Sequence, residues 1–186
     1  VCNRLDRNTS GLVLCGKTLA GSQALSKLIH DRSVRKFYRT IVGGSVTESR
    51  LIDGYLVKNK KTNTVQVFAS EAIASKKEQT DSDISKIITA YVPLKQLSGK
   101  YTYLEVELIT GKTHQIRAHL SSIGHPLLGD HKYGSNRLNE AVKQKYRLSS
   151  QLLHAYCLEF PELEGALAGL SCRTITAPLP GIFERI

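Results

Sequence analysis

The sequence predicts an α+β fold, a largely antiparallel mixed β-sheet flanked by a few helices. Three observations carry this expectation. Strand-like segments come in pairs around the polar turns KNKKTN (58–63) and QLSGK (96–100). Only a few stretches space their apolar residues at helical period. The order of elements lacks the steady βαβ alternation of a doubly wound parallel sheet, and there is neither an internal repeat nor a low-complexity tract.

Taken in order, GLVLCG at 11–16 reads as a short buried strand. Thr18 is a good N-cap for a helix running to about His30, with Leu25, Leu28 and Ile29 on one apolar face. KFYRTIV at 36–42 reads as a strand stopped by Gly43 and Gly44. Alternation puts Lys36, Tyr38 and Thr40 on one face, and Phe37, Arg39 and Ile41 on the other. Segments 51–57 and 64–68 form a hairpin, followed by a polar stretch, SEAIASKKEQTDSD at 70–83, with the composition of a mobile surface connection. Strands follow at 86–94 and 101–109. The second alternates cleanly, with Thr102, Leu104, Val106 and Leu108 on one face. Thr113 can cap a helix to Ile123, with Ile116, Leu120 and Ile123 packing inward and Gly124 ending it before Pro126. A helix at 137–146 and strands at 152–158 and 171–176 complete the chain.

At 186 residues, 41% hydrophobic and 23% charged, the chain suits one well-buried domain. It has no apolar run long enough to span a bilayer, so no membrane partner is expected. Charges begin at Arg4 with no apolar core after them, so no secretory leader is expected either. The four cysteines (Cys2, Cys15, Cys157 and Cys172) are scattered singly, which disfavours a zinc cluster or a disulfide framework and suits a reducing cytoplasm. Net charge is +10, and the first forty residues hold eight Lys/Arg against two Asp. Such a surplus favours a polyanionic partner, with nucleic acid foremost.

Two segments concentrate the chemistry. In NRLDRNTSGL (3–12), Asp6 lies between Arg4 and Arg7 in a loop; the ordinary expectation for such an acid is a surface ion pair. The segment 108–134 holds four of the six histidines (His114, His119, His125 and His131) together with Lys112, Arg117 and Asp130. His114 and His119 are five apart, where zinc pairs on helices favour four, and HExxH is absent, so no metal site is expected. Gly129, Asp130, Tyr133 and Gly134 read as a tight turn in which the Asp side chain accepts local backbone N–H bonds. Arg117 falls at the edge of its helix's buried face. A guanidinium there needs an anion, since it cannot shed its charge, and Asp6 is the attractive candidate.

Together these segments resemble the RluA-type pseudouridine synthases. NRLDRNTSGL is similar to that family's H-R-L-D-x-x-T-S-G-L signature. TGKTHQIRAHLSSIGHPLLGDHKYG is similar to its T-G-R-T-H-Q-I-R signature followed by G-x-P and G-D-x-x-Y-G. KFYRTIV lies between them where the family carries K-x-Y, and APLP at 177–180 fits the family's usual ending. Asn3 stands where the family usually has His, and Lys112 where it usually has Arg. Family members carry further strands before the first signature, often preceded by a small S4-like RNA-binding domain. The resemblance therefore reads residues 1–186 as a catalytic domain without its N-terminal part.

The resemblance implies an RNA-uridine isomerase, with large-subunit ribosomal RNA ahead of transfer RNA as substrate. It is expected to be cytoplasmic and monomeric. The reaction breaks the N1–C1′ bond, turns the held base and joins C5 to C1′; with no redox step or external group, no cofactor is expected. The resemblance makes Asp6 the catalytic carboxylate. It could attack sugar or base, stabilise charge at C1′ or remove a sugar proton. Arg117 would be the cation that keeps Asp6 ionised. Arg4 would fill the space vacated by a flipped nucleotide, where extrusion costs a few kcal/mol. Tyr38 would lie against the uracil ring and relay a proton. Lys36 could contact phosphate, and Arg7, Lys112, His114 and Gln115 are further candidate RNA contacts. A non-catalytic RNA-binding module is the alternative. Arg4, Asp6, Tyr38 and Arg117 together argue against it, because a pure binding surface has no use for a buried carboxylate.

Overall fold

The computed structural model describes residues 1–59, 61–72 and 82–186. Strands β1 (Ser10–Gly11), β2 (Arg35–Gly43), β3 (Arg50–Asn59), β4 (Thr64–Phe68), β5 (Ser82–Leu97), β6 (Tyr101–Leu108), β7 (Leu153–Glu159) and β8 (Thr174–Thr176) form one sheet. Its order is β1-β7-β2-β6-β5-β3-β4, with β8 also on β7. Every pairing is antiparallel except β1 with β7. The mixed, largely antiparallel sheet is as expected. Helices are α1 (Leu19–His30), α2 (Gln115–Ser122), α3 (Asn136–Tyr146) and the short α4 (Ile182–Arg185), with a 3-10 turn at Gly165–Leu170. No described helix is long and apolar enough to cross a membrane.

The central strands show why the sheet has two unlike faces. Tyr38 pairs with Val106, and Val42 with Thr102. These residues, with Leu104 and Tyr91, are buried beneath Ile116 and Leu120 of α2. On the opposite face the same strands carry Arg35, Arg39, Glu105 and Glu107 as ion pairs. The far end of that face is covered: Ile41 is buried there with Leu128 and with Val142 of α3, and Phe183 of α4 packs alongside. α1 closes another edge, with Leu25 against Val34, Leu158 and Phe160. The cleft therefore lies on the α2 face, at the end where β1 and β7 meet β2.

Several expectations are corrected. The 11–16 strand is only the β1 pairing, Ser10–Gly11. Beyond it Leu12 and Leu14 turn toward the α1 cluster while Val13 is 46% exposed. Gly11 is required where β1 touches β7, with φ at +110° and a Cβ that would fall 2.2 Å from the Ala155 carbonyl oxygen. β5 starts at Ser82, earlier than expected, because β3 offers pairing as far as Asn59. Positions 73–81 of the expected surface connection lie outside the described residues. Thr113 does not cap α2. The N-cap is His114 in the left-handed region (φ 53°), and the Gln115 side chain reaches back to accept the Lys112 N–H at 3.1 Å. At the other end Gly124 N–H bonds the Ser121 carbonyl and His125 N–H the Leu120 carbonyl, a Schellman arrangement. Ile123, expected inside, is the residue leaving the helix and is 38% exposed. The 171–176 strand shortens to Thr174–Thr176, and neither the 3-10 turn nor α4 was expected.

Candidate active site

The loop bearing Asp6 is tied down at both ends. The Thr9 N–H closes a turn onto the Asp6 carbonyl at 2.9 Å, with Asn8 left-handed at φ 68°. The buried Gln151 amide donates to the Arg7 carbonyl and to Thr9 Oγ1. On the incoming side Asn3 Oδ1 accepts the Leu14 N–H at 2.7 Å. Asn3, which departs from the resembled signature, thus serves as a local brace.

Asp6 and Arg117 meet. Arg117 Nη1 donates to Asp6 Oδ2 at 3.2 Å, with the Asp6 side chain 22% exposed and that of Arg117 7%. The firmer partner of Arg117 is Asp130, which accepts Nε at 2.7 Å on Oδ2 and Nη2 at 2.9 Å on Oδ1. This two-point grip fixes the plane of the guanidinium. Asp130 is fully buried and also accepts the Lys132 and Tyr133 N–H groups at 2.9 and 3.1 Å. The local turn read from the sequence is therefore present, but the same carboxylate holds Arg117 as well. Burial alone would raise the Asp130 pKa; the Arg117 hydrogen bonds and charge outweigh it and hold the acid below its ordinary range. Burial likewise works against the Arg117 charge, and Asp130 and then Asp6 outweigh it.

Tyr38 forms part of the apolar floor at 8% exposure. Burial, then the Asp6 charge, pushes its pKa up to about 12, so the phenol stays protonated at neutral pH. His114 stands at the head of α2, its Nδ1 2.8 Å from Tyr133 Oη. Tyr133 Oη accepts the Val65 N–H at 3.1 Å, and its ring lies 5.2 Å from the Arg117 guanidinium carbon. Burial lowers the His114 pKa, although Asp6 opposes it. A neutral ring accepting the Tyr133 hydroxyl proton at Nδ1 carries its own proton on Nε2. The left-handed backbone of His114, unusual for a residue with a Cβ, is the kind of local strain that collects at functional sites.

A cleft of about 540 Å³ opens over these groups. Arg4, Asp6, Lys36, Tyr38, Lys112 and His114 all line it. Arg7 is exposed outside that lining, and Arg117 lies behind Asp6. Gln115 also lines the cleft, but its side chain is engaged within the protein. Its side chain is 2% exposed and spent internally, accepting from Thr110 Oγ1 and the Lys112 N–H and donating to the Ile88 carbonyl and Thr89 Oγ1. Its side-chain bonds shape the loop before α2, at the lining of the cleft. The histidines scatter: His119 faces Thr89, His125 the Gly43 carbonyl and His131 the Ser149 carbonyl. Among the described residues no group of three His, Cys, Asp or Glu could hold a metal ion. The sequence reading missed the Asp130 grip, the Tyr133 bridge and the Gln151 anchor. Asp130 and Tyr133 stood in a noticed motif, whereas nothing around Gln151 marked it.

Comparison with known proteins identifies the family. The family model described as RNA pseudouridylate synthase matches residues 1–122. Ribosomal large subunit pseudouridine synthase D of Zymomonas mobilis is 35% identical over 164 residues, covering 86% of this chain and 47% of that protein. tRNA pseudouridine synthase C of Salmonella typhi is 31% identical over 158 residues, covering 84% and 60%. The chain thus spans about half the length of the curated relatives it matches. Human RNA Pseudouridylate Synthase Domain Containing 1 shares the fold, with a TM-score of 0.73 at 24% identity over 95% of this chain and 67% of that one. The family match runs from the Asp6 loop through the whole of α2, the two elements whose side chains meet at the cleft, and the chain belongs to the RNA pseudouridylate synthase family.

Proposed function

We propose that this chain isomerises uridine to pseudouridine in structured RNA, with Asp6 as the catalytic carboxylate. The observation that carries the reading is the Asp6–Arg117–Asp130 line, an acid at a cleft held beside a guanidinium that a second, buried acid keeps in place. Arg117 spends Nη1 on Asp6 Oδ2 and so holds that carboxylate in place at the cleft. A free carboxylate is what each candidate role requires, whether attack on C1′ or the base, stabilisation of charge at C1′, or removal of a sugar proton. Tyr38 in the floor offers its ring to the detached uracil, and its hydroxyl would relay the proton lost from C5, passing its own proton toward the neighbouring Asp6 carboxylate as it accepts that one. Arg4, exposed at the cleft's rim, would take the space of the extruded nucleotide. Lys36, Lys112 and His114 in the lining, with Arg7 nearby, would contact RNA.

The relatives named for large-subunit ribosomal RNA and for tRNA support an RNA substrate, and ribosomal RNA is the first choice. The catalytic domain would be the single sheet and its covering helices within residues 1–186, acting as a monomer without a cofactor. The four free thiols fit the cytoplasm. The test is a map of pseudouridine across total RNA from cells with and without the gene, repeated with Asp6→Asn. One or a few sites should vanish in the deletion and stay absent with Asp6→Asn, while RNA affinity in vitro changes little. Sites restored by Asp6→Asn would remove the acid from the mechanism. Salt-dependent RNA binding with no site lost in the deletion would favour the binding module.

A further inference from the structure

The cations around this cleft are not alike. Arg117 is held by Asp130 and Asp6, Arg39 by Glu105 at 2.7 Å, and Arg35 by Glu107 and Glu159. Lys36 is half-buried at the cleft, yet none of the ion pairs among the described residues includes it, and none includes Arg32. Both line the cleft, with His30 beside them at the end of α1. We propose that Lys36, Arg32 and His30 form a phosphate subsite that takes a phosphodiester group flanking the target uridine. This deepens the isomerase reading and rests on it for the identity of the strand.

Three observations support the subsite. First, Lys36 and Tyr38 share a face of β2, two residues or ~7 Å apart along the strand. Both residues line the cleft, so Lys36 enters it from the strand that carries the ring that would meet uracil. Second, Lys36 is left in an unfavourable state that an anion would relieve. Burial and then the charge of Arg32 lower its pKa; Glu107 opposes this only in part, and that carboxylate is already held by two nitrogens of Arg35 at 2.9 and 3.0 Å. Third, the helix dipole explains cations at the end of α1 but not this one. Lys27 and Arg32 gain from the carbonyl end of α1, whereas Lys36 comes from a strand, and its neighbourhood to Arg32 is repulsive until something negative lies between them.

The test uses a fluorescein-labelled oligouridylate, with anisotropy read across a potassium chloride series. Arg32→Gln/Lys36→Gln should flatten the slope of log affinity against log salt by about 0.7 for one phosphate lost from a single strand. Binding should weaken about ten-fold at low salt. Arg50→Gln/Lys86→Gln removes the same charge elsewhere on the protein and should change the slope by less than half as much. A second arm competes the probe with uridine and with its 3′- and 5′-monophosphates. The parent should prefer one monophosphate over uridine by about ten-fold, and the cleft variant should not. Equal slopes for the two double variants, or a monophosphate preference surviving in the cleft variant, would overturn the subsite. If the double variant does not fold, Arg32→Gln alone, at an exposed side chain, must show both effects in part. Neither arm needs turnover, so a protein that passes both yet makes no pseudouridine would sink the isomerase reading and leave the subsite standing.

Discussion

Arg117 and Arg35 are each gripped by two carboxylates, and the two clusters behave differently because of where the sheet puts them. Arg35 sits on the open face, its side chain 55% exposed, between Glu107 at 22% and Glu159 at 38%. Arg117 sits under α2 at 7%, against Asp130 at 0% and Asp6 at 22%. On the open face water and salt screen the charges, and the ion pairs contribute little. Beneath the helix the same chemistry is costly to assemble and still more costly to break. What the buried cluster provides is therefore orientation more than stability: a guanidinium that cannot turn holds one nitrogen toward the cleft acid.

Breaking the buried cluster should produce the largest effect. Arg117→Met leaves Asp130 buried without its partner, so about 3–5 kcal/mol should be lost in urea unfolding, and turnover with it. A loss below ~1 kcal/mol would show that water reaches Asp130 and would dissolve the contrast with Arg35. Acid sharpens the comparison next. His119, His154 and His114 have pKa values lowered from 6.5, each chiefly by burial. The folded state therefore binds their protons less readily than the unfolded chain. Their stabilising contribution is present above about pH 6.5 and declines as the pH falls through their folded values. Asp130, lowered from 3.8, adds a second loss below about pH 4. Thermal melts from pH 8 to pH 3 should show stability falling in those two stages. A flat profile down to pH 4 would contradict the histidine burial. The smallest effect belongs to the open face: Arg35→Gln should cost under ~1 kcal/mol, less still in high salt, with turnover unchanged.

The sheet was legible because its strands alternate and its turns are polar. Thr102, Leu104 and Val106 declared their face, and the structure buries all three. Helix α1 was legible at both ends, since the Thr18 cap is a local interaction closed by the Gly21 N–H at 3.1 Å. Helix α2 was misread at its start because no side chain caps it: His114 takes the N-cap position, and Gln115 reaches back to the Lys112 N–H while bonding Thr110 and the Ile88 carbonyl of β5. The same residue was offered as an RNA contact because polarity near a signature suggests exposure; only packing against β5 turned it inward.

At the candidate site, the amino-acid order alone determined that one acid lay in a glycine-terminated loop and that one arginine lay at the edge of a buried helical face. Charge that cannot be neutralised must find a partner, so their meeting could be anticipated across a separation of 111 positions. The division of Arg117 between two acids belongs to the tertiary structure. So do the Lys36 ammonium, outside every ion pair among the described residues, and the Gln151 anchor. Each depends on which backbone groups and charges lie within about 3 Å once strands far apart in sequence are side by side, and short-range pattern carries no record of that proximity.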